Sequence, residues 1–184
     1  MRGVRRPVPL PDPPLVDGEL ALRPWDALDA ADLVAAWADA EVARWTGVPP
    51  HSDETAARRW IAGDAHRRAR GLALDLVIEA DGDVVGEIGL TEIDPERRSA
   101  EIGWWVGSRR RNRGFASRSA RLVTQWALSE LNLDAIVARC HPSNPASGGV
   151  AQAAGLAPAG TAGEVELWRC TSNDEERLPL ARRC

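Results

Sequence analysis

Val106-Gly107-Ser108-Arg109-Arg110-Arg111-Asn112-Arg113-Gly114-Phe115-Ala116-Ser117 is the stretch on which the fold of this 184-residue chain turns. An anion is held by several backbone N–H groups aimed one way, and they gather where a strand ends, turns through glycine and enters a helix. Residues 106–116 have that form. Gly114 permits a close approach to a ligand, Ala116 is small enough for the helix to pack tightly, and Arg109, Arg110, Arg111 and Arg113 add positive potential. Alone, the stretch reads equally as a solvated basic turn capping a helix.

Outward from this loop the pattern is mixed. Residues 99–106 upstream alternate as a strand, and residues 114–131 downstream place Ala116, Ala120, Val123, Ala127 and Leu131 on one helical face. Residues 72–80 and 84–91, joined by Asp81-Gly82-Asp83, complete an antiparallel meander with residues 99–106. Nearer the start, residues 19–25 predict a strand. Asp26 predicts the cap of a helix through Leu28, Leu33, Val34 and Trp37, and residues 45–50 break it. Ser52 or Asp53 opens a second helix that stops near Gly71. After the loop helix come a buried strand at 135–140, a short helix at 144–154 and a last strand at 164–170. The order β-α-α-β-β-β-α-β-α-β predicts an α/β (α+β) domain over residues 18–170, between a proline-rich arm (1–17) and a polar tail (171–184).

Composition narrows the function. All 23 basic residues are Arg, and the net charge of -4 argues against a surface built for nucleic acid. Cys140, Cys170 and Cys184 form neither a disulfide framework nor a zinc spacing, and His51, His66 and His141 show no metal pattern. No run reaches the ~20 apolar residues of a membrane helix, and the N-terminus has no signal-peptide form. The expectation is a cytoplasmic protein with a small-molecule partner, no metal and no membrane.

With these segments in view, the chain resembles the GNAT acetyltransferase superfamily, in its RimJ/RimL-like branch of ribosomal-protein N-terminal acetyltransferases. Residues 100–106 (Ala-Glu-Ile-Gly-Trp-Trp-Val) look like that branch's fourth-strand segment. Arg111 to Ala116 matches its Gln/Arg-x-x-Gly-x-Gly/Ala pyrophosphate loop, and Asn144-x-x-Ser147-x-x-Val150 with Gly155-Leu156 is similar to its next helix and turn. The resemblance implies a central mixed, mostly antiparallel sheet, flanked by helices and splayed after the fourth strand, with acetyl-CoA or another acyl-CoA as co-substrate. It also implies an amine acceptor and, as one option, a homodimer. Backbone groups near Trp105 and Val106 would hold the pantetheine, and Arg111, Asn112, Arg113, Gly114, Phe115, Ala116 and Ser117 the pyrophosphate. Asn144 would face the pantetheine and Ser147 the thioester sulfur.

Amine attack on a thioester needs a neutral amine, a stabilised oxyanion and a proton for the thiolate. With no Tyr in the chain, Ser147 is the candidate donor to sulfur and Glu101 the candidate base. A hairpin centred on the loop between residues 91 and 99 would set Gly89 opposite Glu101 and Glu87 opposite Gly103, so that the two carboxylates share a face and repel. Glu101 reads equally as a structural acid bonded to an Arg, and Asn144 before Pro145 equally as a helix cap. Gly148 and Gly149 weaken the helix that carries Ser147. Trp104 and Trp105 read as core, or with Trp45 and Val48 as walls of an acceptor pocket. A succinyl- or other acyl-CoA donor, a non-catalytic CoA-binding module and an RNA binder using residues 109–121 remain as other readings.

Overall fold

The computed structural model describes residues 5–48 and 52–172. Pro49, Pro50, His51, Cys184 and nearly all of the tail therefore lie outside the described residues. Among the described residues eight strands form one sheet: β1 (Leu15–Asp17), β2 (Leu20–Pro24), β3 (Leu74–Ala80), β4 (Asp83–Asp94), β5 (Ser99–Val106), β6 (Ala135–Cys140), β7 (Ala157–Ala162) and β8 (Val165–Thr171). The order across the sheet is β1-β2-β3-β4-β5-β6-β8-β7. Only the β5–β6 pair is parallel, as expected where a helix carries the chain back across one face.

That helix is α5 (Phe115–Glu130), which buries Phe115, Ala120, Val123 and Ala127 against the sheet. Beside it lies α6 (Pro145–Ala153). The opposite face carries α1 (Ala30–Trp37), α2 (Ala40–Trp45), α3 (Glu54–Ala62) and α4 (Asp64–Ala69). There Trp25, Leu33, Ala57, Ile61 and Val77 form a second apolar cluster. β3 is buried at every position but Glu79, as a central strand between two helical layers must be.

The sheet is splayed as the resemblance implied. β5 and β6 pair only at Ser99↔Ala135, Ala100↔Ile136 and Glu101↔Val137. Beyond Glu101, β5 stays bonded to β4 as far as Val106, while β6 stays bonded to β8 as far as Cys140. The two halves part and leave one edge of β5 without a strand partner.

Several expectations change. The predicted helix after Asp26 is a 3-10 turn (Ala27–Asp29) followed by two short helices, because Asp39 accepts from Glu41 N and Val42 N and starts α2 anew. Leu28, placed on the apolar face by its spacing, is 86% exposed on that turn. The helix opened by Asp53 breaks at Gly63. The proline-rich arm lies against the domain: β1 pairs with β2, Val8 is buried and its N–H bonds Arg68 O. Gly71 lets the arm lie this close, since a Cβ there would stand 2.3 Å from Arg6 O. β7 was unforeseen because all six of its residues are exposed and carry no apolar alternation.

Ile136 is fully buried opposite Ala100, one position before the last parallel pairing at Glu101↔Val137. Ile136→Ala should cost about 2–5 kcal/mol, read as a lower denaturant midpoint with an unchanged m-value.

Candidate active site

The parting of β5 and β6 creates a cavity of about 410 Å³. Trp104, Trp105 and Val106 line one side, and Asn144 and Ser147 at the start of α6 the other. The end is closed by Arg111, Asn112 and the first turn of α5. Gly114 takes φ +78 immediately before Phe115, and no side chain caps this 16-residue helix. Its first-turn N–H groups are left for a ligand, at the positive end of the helix dipole.

The arginines around the loop mostly serve the protein itself. Arg111 was expected to add charge at the phosphates, but its guanidinium turns to Asp39, with Nη2 2.9 Å from both carboxylate oxygens and Nε 2.9 Å from Val106 O. Asp39 also accepts from Ser108 N at 3.1 Å. Burial works against the Asp39 carboxylate, but the Arg111 hydrogen bond and the N–H groups of Val42 and Glu41 outweigh it and hold its pKa below the ordinary range. Arg110 pairs with Asp83. Arg113 lies 4.9 Å from the Phe115 ring centroid and forms no salt bridge among the described residues, so it is the loop arginine adjacent to the glycine that can still meet an anion.

On the α6 side, Asn144 caps the helix: its Oδ1 accepts from Ser147 N at 3.3 Å, with Pro145 in the first turn. The capping role read from the sequence is present, and the residue also borders the cavity. The Ser147 hydroxyl donates to Cys140 Sγ at 3.4 Å. Burial pushes the Cys140 thiol up, so it stays protonated.

A second cavity, of about 430 Å³, opens on the other side of β5. Trp37, Trp60, Trp104 and Trp105 wall it, and Asp75, Glu87 and Glu101 line it. The predicted hairpin register is corrected here: Gly89 faces Gly103, Thr91 faces Glu101 and Glu87 faces Trp105. The reason is that β4 runs on to Asp94, which accepts from Glu96 N and Arg97 N and moves the turn toward Arg98. Glu87 and Glu101 still share a face, but four ladder positions now separate them, about 13 Å at strand spacing, and they do not repel as a close pair. Glu101 is held by Arg139 Nε at 2.8 Å, the structural pairing its sequence context allowed.

The close carboxyl pair is instead Asp75 with Glu87, diagonal neighbours across β3 and β4 and therefore roughly 7–8 Å apart along the ladder. Arg67 binds Asp75 Oδ2 from Nε at 3.1 Å and from Nη2 at 3.0 Å. Glu87 has no salt-bridge partner among the described residues; its oxygens accept from Trp25 Nε1 at 2.9 Å and Trp105 Nε1 at 3.3 Å. Burial pushes the Glu87 carboxyl up to about 8, with Asp75 adding to the rise and the two indoles and Arg67 opposing it. Sequence reasoning passed over Asp75, although one acid inside Leu74-Asp75-Leu76-Val77-Ile78 is a signal in itself. Trp45 lines the first cavity and not the second, while Val48 lines the second.

The family described as "Acetyltransferase (GNAT) domain" matches residues 19–157. The chain belongs to the GNAT acetyltransferase family. It is 30% identical over 130 residues to the uncharacterized N-acetyltransferase p20 of Bacillus licheniformis, covering 70% of this chain and 73% of that one. It is 26% identical over 98 residues to the ribosomal-protein-serine acetyltransferase of Escherichia coli, covering 53% and 55%. The solved structure of Mycobacterium smegmatis RimJ in complex with CoA-disulfide matches with a TM-score of 0.75 at 26% identity, over 87% of this chain and 84% of that one. The chain is thus an acyltransferase of the GNAT family, its relatives and solved neighbours include RimJ/RimL-type enzymes, and the activity of its family is N-acetyl transfer from acetyl-CoA.

The first cavity fits such a co-substrate on two counts. An uncapped helix N-terminus offers N–H groups to a pyrophosphate, and the free edge of β5 offers a hydrogen-bonding ladder to the amides of a pantetheine. Among the described residues no helix is long and apolar enough to cross a membrane.

Removing Asp39 frees both Arg111 and the Ser108 amide, so Asp39→Ala should weaken CoA binding about tenfold, near the low end of a charge-assisted hydrogen bond, by calorimetry. The raised Glu87 carboxyl has its own signature. Its stabilising proton is fully present below the ordinary value of 4.5 and is lost as pH rises through about 8. Glu87→Gln cannot ionise, so its Tm relative to the parent should climb over that window and level off above it. The indole acceptance lost by the amide adds only a constant offset.

Proposed function

We propose that this enzyme transfers the acetyl group of acetyl-CoA to a primary amine by direct attack, the acceptor being a protein or peptide N-terminus or a small amine. One observation carries the reading: the two cavities share Trp104 and Trp105 of β5, with Thr46 at the end of α2, so a donor in one and an acceptor in the other meet at that strand. The E. coli relative, a ribosomal-protein-serine acetyltransferase, supports a protein as the acceptor.

In this reading the N–H groups from Arg111 to Ser117 hold the pyrophosphate, with Arg113 facing it. The backbone of Trp105 and Val106 aligns the pantetheine, and Asn144 fixes the start of α6 so that Ser147 faces the sulfur. The Ser147 hydroxyl turns from Cys140 to donate to the departing thiolate, taking the part of the phenol this Tyr-free chain lacks. Glu101, tied to Arg139 in the wall of the second cavity, presents a carboxylate to the incoming ammonium.

Release of CoA thiol from acetyl-CoA with a panel of peptide and small amines is the direct test. Failure to bind CoA at micromolar concentration overturns the proposal. Ser147→Ala should lower kcat about a hundredfold, the lower end of a proton donor's contribution, with CoA affinity unchanged.

A further inference from the structure

We infer that Glu87, in the second cavity, is the catalytic group that takes the proton from the acceptor ammonium, with the Trp25 and Trp105 indoles positioning it. The inference rests on the acetyl-transfer reading above and adds to it the residue that makes the amine nucleophilic.

Geometry sets Glu87 apart from the other carboxyls. Three carboxyl groups line the acceptor cavity, and two are bound to cations: Asp75 to Arg67 from α4, and Glu101 to Arg139 from β6. Glu87, from β4, is held by neutral donors alone, Trp25 after β2 and Trp105 on β5. Trp25 is fixed in turn by an edge contact with Trp60, ring centroids 6.0 Å apart, and a tilted one with Trp105 at 6.4 Å. Both indole N–H groups point at the carboxyl oxygens, an arrangement that receives the anion without neutralising it. Gly89 and Gly103 face each other next along the ladder, and a Cβ at Gly103 would meet nothing within 4 Å, so the floor beside Glu87 is open. The aromatic walls favour an ammonium over a neutral or anionic head.

The charged groups around Glu87 are Asp75, whose charge favours the protonated form, and Arg67, whose cation opposes it but is spent on Asp75 and the Trp60 carbonyl. With burial they leave a carboxyl near 8, suited to exchanging a proton at neutral pH. Glu87, ionised, accepts one proton from the ammonium. The nitrogen lone pair then attacks the thioester carbonyl carbon and forms the C–N bond. The C–S bond breaks with its electron pair going to sulfur, and the second amine proton ends on the thiol. The amide keeps the third.

The test uses the full chain and its Glu87→Gln, Glu87→Asp and Glu101→Gln variants. Acetylation of a peptide amine is followed from pH 6 to 10, and the Trp indole ¹⁵N–H resonances are titrated over the same range. The expected result is a parent kcat/KM that rises with a midpoint near that of the Trp25 and Trp105 resonances. Glu87→Gln should lose about 10²- to 10⁴-fold in kcat and both titrations, with CoA affinity kept. Glu87→Asp should recover part of the rate, and Glu101→Gln should keep the rising limb. Weakly basic amines, already neutral, should narrow the Glu87→Gln deficit, which a merely structural defect would not do. The inference is overturned if Glu87→Gln binds CoA and keeps its rate and pH profile, if the indole resonances do not titrate, or if the limb vanishes in Glu101→Gln instead. A parent that binds CoA and acetylates no amine at any pH overturns the acetyl-transfer reading itself.

Discussion

β5 is bonded along its length to β4 but leaves β6 after the pairing of Glu101 with Val137, and the site depends on that parting. A strand held on one edge is rigid, and its free edge carries donors and acceptors that a protein interior does not leave unpaired. The separated strands make room for a cavity, and α5 and α6 bring their N-termini to its rim. The same strand also walls the second cavity, so the two cavities meet along β5.

Charge is distributed with similar economy. The loop looks strongly basic, yet Arg110 and Arg111 are committed to Asp83 and Asp39. Arg118 in the first turn of α5 reaches back to Asp17 and Glu19, pinning the helix start to β1 and the turn after it. These planar, multidentate contacts are what guanidinium offers over ammonium, and a chain without Lys uses them throughout. What the loop leaves uncommitted is the backbone N–H groups of the first turn of α5 and Arg113, which forms no salt bridge among the described residues. In the second cavity the same logic leaves Glu87 as the carboxyl held by indoles and, among the described residues, by no salt bridge.

Much of this was legible in the sequence because it is local. β5 and β6 have the predicted bounds, and α5 departs by a residue at each end, since alternation and helical period report burial directly. β1 and β7 were not legible. The first is three residues that follow prolines, and the second is wholly exposed, so neither carries a periodic signal. The hairpin register slipped by two positions because strand length cannot be read past Thr91, where apolar alternation ends but pairing continues to Asp94.

The sequence by itself determined the GNAT fold and singled out the loop, Asn144 and Ser147 that the structure brings to one cavity, because each depends on residue types at fixed short spacing. Tertiary structure decided the partners. Arg111 met Asp39 from 72 residues away, Glu101 met Arg139, and Glu87 met Trp25 across 62. A carboxyl's proton affinity depends on what surrounds it in space, and the groups that set it at Glu87 come from β3, β5, α4 and the chain after β2.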